Sequence, residues 1–474
     1  MSQLPVDQVL LVFSILMGFS LSMPLAEMFG IDRRISKYIS IAGLLVTLAI
    51  VLISPPSGSA SISIVSGFLS NVDSISYPIA IAILLGGIIG VMSLPVEATD
   101  SVHPYLSMIL MGVLASIMLV MARDPVAIIA SWTLLSVTTF AAVALARDRE
   151  SLEASVRYSI VGAIASQLLI IGIAFSTPYM LPAALAQQQS VLYAVGLIAI
   201  AFTMIAIGFK LGAAPSHSWV PDVYGKASPY VVSVISGSLK LGVVGLAVYV
   251  LSYLSPISPG MLSVILFISV ASMLIGSILP LTQTNAQRIL AYSSIAHMGF
   301  IFIGLSVLAV SHDNPYAYRL ALLGVIFHTL AYALGKSGVF AALNYIRRYS
   351  GGLELDVIGS SKAKDPKLTF SLSVHLLNLI GVPPLPGFWG KLFLFMAAAQ
   401  NLRGLYIGQV PWLVILGIAA SVISVYYYLN ILRVSVASGG SVSKNRDPDL
   451  WASYTSAAIS IVLGVFMYIL SYYV

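Results

Sequence analysis

Lys210, Lys240, Lys336 and Lys391 each lie inside a long apolar stretch of a 474-residue chain. A lysine at bilayer depth costs at least about 2.5–3.5 kcal/mol on insertion scales. Only 8% of the residues are charged and 59% are hydrophobic, so four such exceptions point to use. Desolvation disfavours an ammonium, and the proton on a buried lysine therefore responds to water and to nearby charge. A row of these groups inside a membrane suits proton relay. His328, Tyr332 and Lys336 extend the set. They are spaced four apart, about one helical turn between successive members, which makes a ladder for protons passing through waters. His297 and His375 are weaker candidates, because a lone histidine among apolar residues is more often a packing group.

The elements that must position these residues follow from composition. Mean hydropathy is +0.98. About fourteen apolar spans run end to end, at 6–28, 37–54, 77–94, 103–121, 125–146, 155–177, 191–214, 229–254, 259–281, 289–310, 316–346, 368–400, 411–435 and 451–472. Each is near the length that crosses roughly 30 Å of hydrocarbon. The expected fold is an all-α membrane protein of about 14 transmembrane helices. The first span lacks a basic leader and a small-residue cleavage site, so it reads as a helix that stays. With no cysteine, the chain has no thiolate for an iron–sulfur cluster, disulfide or c-type haem. No glycine-rich nucleotide loop appears either. No cofactor and no metal are expected in this chain.

Loop charges give an orientation. Loops after odd-numbered spans carry Arg33, Arg34, Lys37, Arg147, Arg149, Lys226, Arg288, Arg347, Arg348, Lys362, Lys364, Lys367, Arg433, Lys444 and Arg446. Loops after even-numbered spans carry only Arg123, Arg319 and Arg403. Basic loops face the cytoplasm, so both termini are expected on the outer side of the cell membrane.

Two spans are interrupted. Span seven reads GFKLGAAPSHSWVPDVY, with Pro215 and Pro221 just past Lys210. Span twelve reads NLIGVPPLPGFWGKLFLF, with Pro383, Pro384 and Pro386 just before Lys391. Proline removes a backbone donor, and freed carbonyls at membrane depth survive only inside protein or beside a hydrated cavity. Breaks five spans apart, each with a lysine, predict two inverted five-helix repeats, helices 4–8 and 9–13, with broken helices 7 and 12. The chain then reads as one polytopic domain: residues 1–100 as three leading helices, 101–254 and 255–435 as the repeats, and 436–474 as the last helix. Lys391 stands as the counterpart of Lys210. Ser236 and Ser238 flank Lys240 with water-holding hydroxyls, and Gly237 and Gly242 permit close packing.

RDRESLEASVRYSIVGAIASQLLIIGIAF, GFKLGAAPSHSWVPDVY, LAYSSIAHMGFIFIGL and GVPPLPGFWGKLFLF resemble, in register and order over about residues 100–435, the antiporter-like membrane subunits of respiratory complex I. The W-x-PDVY segment is most similar to subunit N, whereas SGSLKLGVVGL is closer to subunit M. The resemblance implies proton translocation through Lys210, Lys240 and Lys391, with Lys336 and His328 joining the halves. It implies NADH:quinone oxidoreductase chemistry only in partner subunits, which hold the quinone site and the iron–sulfur clusters. It also places Thr133, in RDPVAIIASWTLLSV, where the family has a glutamate that pairs with the helix-seven lysine. Asp124 and Glu153 are the nearest substitutes along the chain. The same fold serves Mrp-type cation/proton antiporters and membrane-bound hydrogenases, and the loss at Thr133 also suits a structural subunit that no longer conducts.

Overall fold

The computed structural model describes residues 4–53, 75–180, 189–253, 259–311, 313–360, 365–401, 406–407, 410–437 and 449–471. Lys362, Lys364, Arg403, Lys444 and Arg446 lie outside them.

Helices follow the apolar spans in order: α1 Leu4–Met28, α2 Arg33–Ile53, α3 Ser76–Met92, α4 Val102–Met121, α5 Pro125–Ala144, α6 Arg149–Met180 and α7 Gln189–Leu211. Then come α8 Trp219–Lys226, α9 Pro229–Gly237, α10 Gly242–Tyr253, α11 Pro259–Ile278, α12 Ala286–Val310 and α13 Pro315–Ser350. The chain continues through α14 Leu355–Ser360, α15 Pro366–Ile380, α16 Pro386–Asn401, α17 Trp412–Ala437 and α18 Leu450–Ser471. A short antiparallel pair, β1 Tyr406–Ile407 with β2 Val410–Pro411, lies between α16 and α17. Among the described residues 12 helices are long and apolar enough to cross a membrane. The α3 helix is a shorter apolar one, and α15 with α16 makes a segment divided in two. The expected spans are all present as helix.

The long α13 is the central strut. It packs against α3, α9, α12, α15, α16 and α18. Glycines let its neighbours approach closely. A Cβ on Gly237 of α9 would meet Ser337 Cβ at 2.7 Å, and one on Gly390 of α16 would meet the His328 backbone at 2.6 Å.

Three details differ from the sequence reading. The segment around Lys240 is not one helix: α9 stops at Gly237, and Lys240 sits in a 3-10 turn, Leu239–Leu241, before α10. The segment after α13, grouped above only by its loop charges Arg347 and Arg348, contains the short helix α14 and a bridge between Asn285 and Glu354. Lys37 is not a free loop charge. It turns inward from the start of α2 and is 7% exposed, with Nζ 2.9 Å from Asp449 Oδ1 and 2.8 Å from the Leu94 carbonyl. Arg348 holds the other Asp449 oxygen at 2.8 Å, so one buried carboxylate ties α2 and α13 to the start of α18.

Candidate functional site

Both interruptions begin with the same device. Gly212 and Gly381 end α7 and α15 with φ of 78° and 90°, a left-handed conformation that glycine adopts without penalty. The following amides reach back, Ala213 N to Gly208 O at 2.7 Å and Val382 N to Leu377 O at 3.0 Å. Not every expected proline lies in the gaps. Pro215, Pro383 and Pro384 do, but Pro221 is in the first turn of α8 and Pro386 is the first residue of α16. There the missing N–H is one that no helix partner would use, so these two start helices.

All four lysines are buried, with exposures of 1% for Lys210, 2% for Lys240, 0% for Lys336 and 6% for Lys391. No carboxylate pairs with any of them among the described residues. Oxygens of serine, threonine and the backbone, with aromatic faces, take that place. Lys210, in the last turn of α7, donates to Ser136 Oγ at 2.9 Å and reaches Thr139 Oγ1 at 3.5 Å. Its Nζ lies 5.8, 5.1 and 5.8 Å from the ring centres of Trp132, Phe140 and Tyr158, within reach of their negative faces. Thr133 itself is exposed on the outer side of α5. Neither proposed substitute acid serves Lys210. Asp124 caps α5 through Val126 N and Ala127 N, and Glu153 pairs with Arg157 and Lys226. Both stand at helix ends, where water and orphan amides claim them.

The Leu211 carbonyl, freed by the first break, accepts from Lys240 Nζ at 3.2 Å. Lys240 Nζ also lies 4.8 Å from the Tyr332 ring centre, and Lys336 Nζ lies 5.9 Å from the same ring. Tyr332 OH is 3.1 Å from Ser236 Oγ. Lys336 donates to the Leu290 carbonyl at 2.7 Å and to Ser293 Oγ, both on α12. His297 closes the middle. Its Nδ1 is 3.0 Å from His328 Nε2, its Nε2 is 3.1 Å from Tyr428 OH, and its ring stands 5.5 Å from that of Tyr332. His328 Nδ1 has no hydrogen-bond partner among the described residues, and the backbone of His328 abuts Gly390, next to Lys391. Lys391 then donates to the carbonyls that end α15, Ile380 O at 2.8 Å and Leu379 O at 3.3 Å, with Phe300 4.8 Å beneath it.

The residues brought together are therefore Lys210, Lys240, Tyr332, Lys336, His297, His328 and Lys391. His375 stands apart. Its Nε2 is held by Ser453 on α18 at 3.1 and 3.2 Å, and no hydrogen bond joins it to the lysines among the described residues. Sequence reasoning missed Tyr428, Ser136, Ser293 and Trp219. The last donates to the freed Phe209 carbonyl at 2.7 Å. No spacing on their own segments marks them; their partners are on other helices. Gly212 and Gly381 did carry a signal, each lying three residues or fewer before a proline at the end of an apolar run.

The profile of the family described as NADH:quinone oxidoreductase/Mrp antiporter, transmembrane, matches residues 122–424. The chain belongs to this family. Members it resembles include NAD(P)H-quinone oxidoreductase subunit 2 of Trichormus variabilis, 31% identical over 84% of this chain and 76% of the relative. NADH-quinone oxidoreductase subunit N of Parvibaculum lavamentivorans is 32% identical over 70% and 67%. The fold is shared with a chain of respiratory complex I from Thermus thermophilus, at TM-score 0.77 and 24% identity, covering 96% of both chains. It is shared too with a chain of the Mrp complex from Dietzia, at TM-score 0.77 and 17% identity, covering 98% of this chain and 96% of that one.

Proposed function

We propose that this antiporter-like chain is a proton-translocating subunit of a complex I-like quinone oxidoreductase, driven by electron transfer in other subunits. Its relatives at 31–32% identity carry quinone oxidoreductase names. The observation that carries the reading is the clustered middle of the axis, in which hydrogen bonds join the Leu211 carbonyl to Lys240 and His297 to His328, and the Tyr332 ring stands in contact with both Lys240 and His297. Lys240 joins the first break to Tyr332. The paired histidines hold one proton between two ring nitrogens, and Tyr428 and the free His328 Nδ1 offer the next positions. Lys391 then passes a proton toward the second break. The oxygens around each lysine accept hydrogen bonds from an ammonium and leave its charge unpaired, which keeps the proton mobile. The halves act as inverted repeats, residues 101–254 (spans 4–8 of the sequence) and 255–435 (spans 9–13), with both termini outside. Quinone and iron–sulfur clusters belong to partner subunits.

Lys240→Met tests this in the assembled complex. Donor-driven acidification of inverted membrane vesicles should fall about 100-fold, the low end for removing a positioned proton-transfer group. Unchanged acidification at normal assembly sinks the reading.

A further inference from the structure

At the end of the bundle that carries the basic loops, a cavity of about 360 Å³ opens. Its wall is built from the link before α4, the link after α5, the start of α9 and the last turns of α13. Three arginines stand in that wall, Arg147, Arg347 and Arg348. Asp449 engages Arg348 at 2.8 Å. No carboxylate pairs with Arg147 or Arg347 among the described residues. The acids close by are turned to other partners. Asp100 is in the wall too, but its carboxylate is 3.5 Å from Arg33. Asp148, next to Arg147, accepts from Ser151 N at 2.8 Å and from Ser151 Oγ at 2.7 Å.

Two helices also begin in this wall, α4 after Ser101 and α9 after Ser228. A serine in that place ordinarily accepts from an amide of its own helix. Neither of these does. Ser101 is 2% exposed, and its Oγ has no hydrogen-bond partner among the described residues. A buried hydroxyl left so is unfavourable unless something else meets it. The first amides of each helix have no carbonyl within it, and the aligned peptide dipoles leave partial positive charge there. An unused hydroxyl, two guanidiniums without a carboxylate and two helix starts around one concavity complement a compact anion with several oxygens. The volume is at the small end for ligand cavities and leaves room for a phosphate with a short organic group.

We propose that this cavity binds a phosphate ester, with Arg147 and Arg347 holding its oxygens and Ser101 and Ser228 donating to them. The ester is a phospholipid headgroup or a soluble compound, since both present the same oxygens. Bound there, it ties four separate parts of the chain together at one end of the bundle. No residue of the lysine axis lines the cavity, so the inference does not depend on the proton-relay reading.

Two probes on the assembled, purified complex test this and separate the sources. Calorimetric titration with glycerol 3-phosphate reads the soluble ester. Native mass spectrometry after exposure to phosphatidylglycerol vesicles reads the lipid. Binding of at least one probe should weaken about 10-fold in Arg147→Gln and about 10-fold in Arg347→Gln, the loss of one hydrogen bond to a charged group. Ser101→Ala should weaken it about three-fold. Arg433→Gln changes an exposed arginine of the same set of basic loops, outside the cavity, and should leave binding as it was. Weakening seen with glycerol 3-phosphate assigns a soluble ester, and weakening seen with the lipid alone assigns a headgroup. Binding of neither probe, binding that both cavity arginine variants leave unchanged, or an equal loss in Arg433→Gln overturns the proposal.

Discussion

The two helix breaks share a glycine cap and a lysine, yet they satisfy their freed carbonyls differently. At the second break Lys391 bonds Ile380 O and Leu379 O itself. At the first, Lys210 ignores the freed carbonyls and turns to Ser136 on α5. Lys240, from the next segment, takes Leu211 O, and the Trp219 indole takes Phe209 O. In bonding, Lys391 is thus the counterpart of Lys240 rather than of Lys210, despite the order along the chain. Lys210 stands before its break and Lys391 after it, so only the latter can fold back over a helix end. Lys210 therefore ties α7 to a hydroxyl of α5 and bonds no helix terminus, whereas Lys391 completes one.

Stability exposes that difference most directly. Replacing either lysine by methionine removes a similar burden of burying an ammonium, so the contrast between the two variants isolates the carbonyls. Lys391→Met leaves one buried carbonyl and one part-buried carbonyl without that donor, at about 1–3 kcal/mol each. Lys210→Met leaves none. The Lys391 variant should therefore be less stable than the Lys210 variant by roughly 2–6 kcal/mol. Thermal unfolding of the purified protein in detergent measures this, and equal melting temperatures break the comparison.

Trp219→Phe should have the next largest effect. The ring's stacking partner, Tyr158 at 4.3 Å, survives the change, while the indole donor to Phe209 O is lost. That carbonyl also receives Gly212 N at 2.9 Å, so the cost should fall near the low end, about 1 kcal/mol. A cost matching that of Lys391→Met implies that the first break depends on the indole as much as the second depends on its lysine.

Which parts of this were legible in sequence follows from where the information lies. Hydropathy and proline are properties of a segment, so the spans and both interruptions could be read. The four lysines declared themselves by their cost in an apolar run. The partners could not be read, because Ser136, Tyr428 and Ser293 are ordinary residues until another helix brings a charge or an imidazole to them. Lys37 was misread for the same reason. At a span end it looks like a cytoplasmic loop charge, and only the fold brings Asp449, 412 positions away, to meet it. The family position of the missing acid pointed to Thr133, but that residue faces outward and the hydroxyl that meets Lys210 is Ser136, one turn further on.

Ser136→Ala should give the smallest effect and the sharpest one. Ser136 Oγ donates to the Trp132 carbonyl at 2.8 Å while it accepts from Lys210. Alanine removes one membrane hydrogen bond, worth about 0.6 kcal/mol on average, and Thr139 remains within 3.5 Å of the ammonium. Melting should therefore hardly move. Pumping should move more, because the hydroxyl is the best-placed acceptor for the Lys210 ammonium, which no acid adjoins among the described residues. A fall in acidification of about three-fold at unchanged stability separates the two roles. Loss of both together shows that Ser136 serves the packing of α5 on α7, and then the first break is as structural as the second.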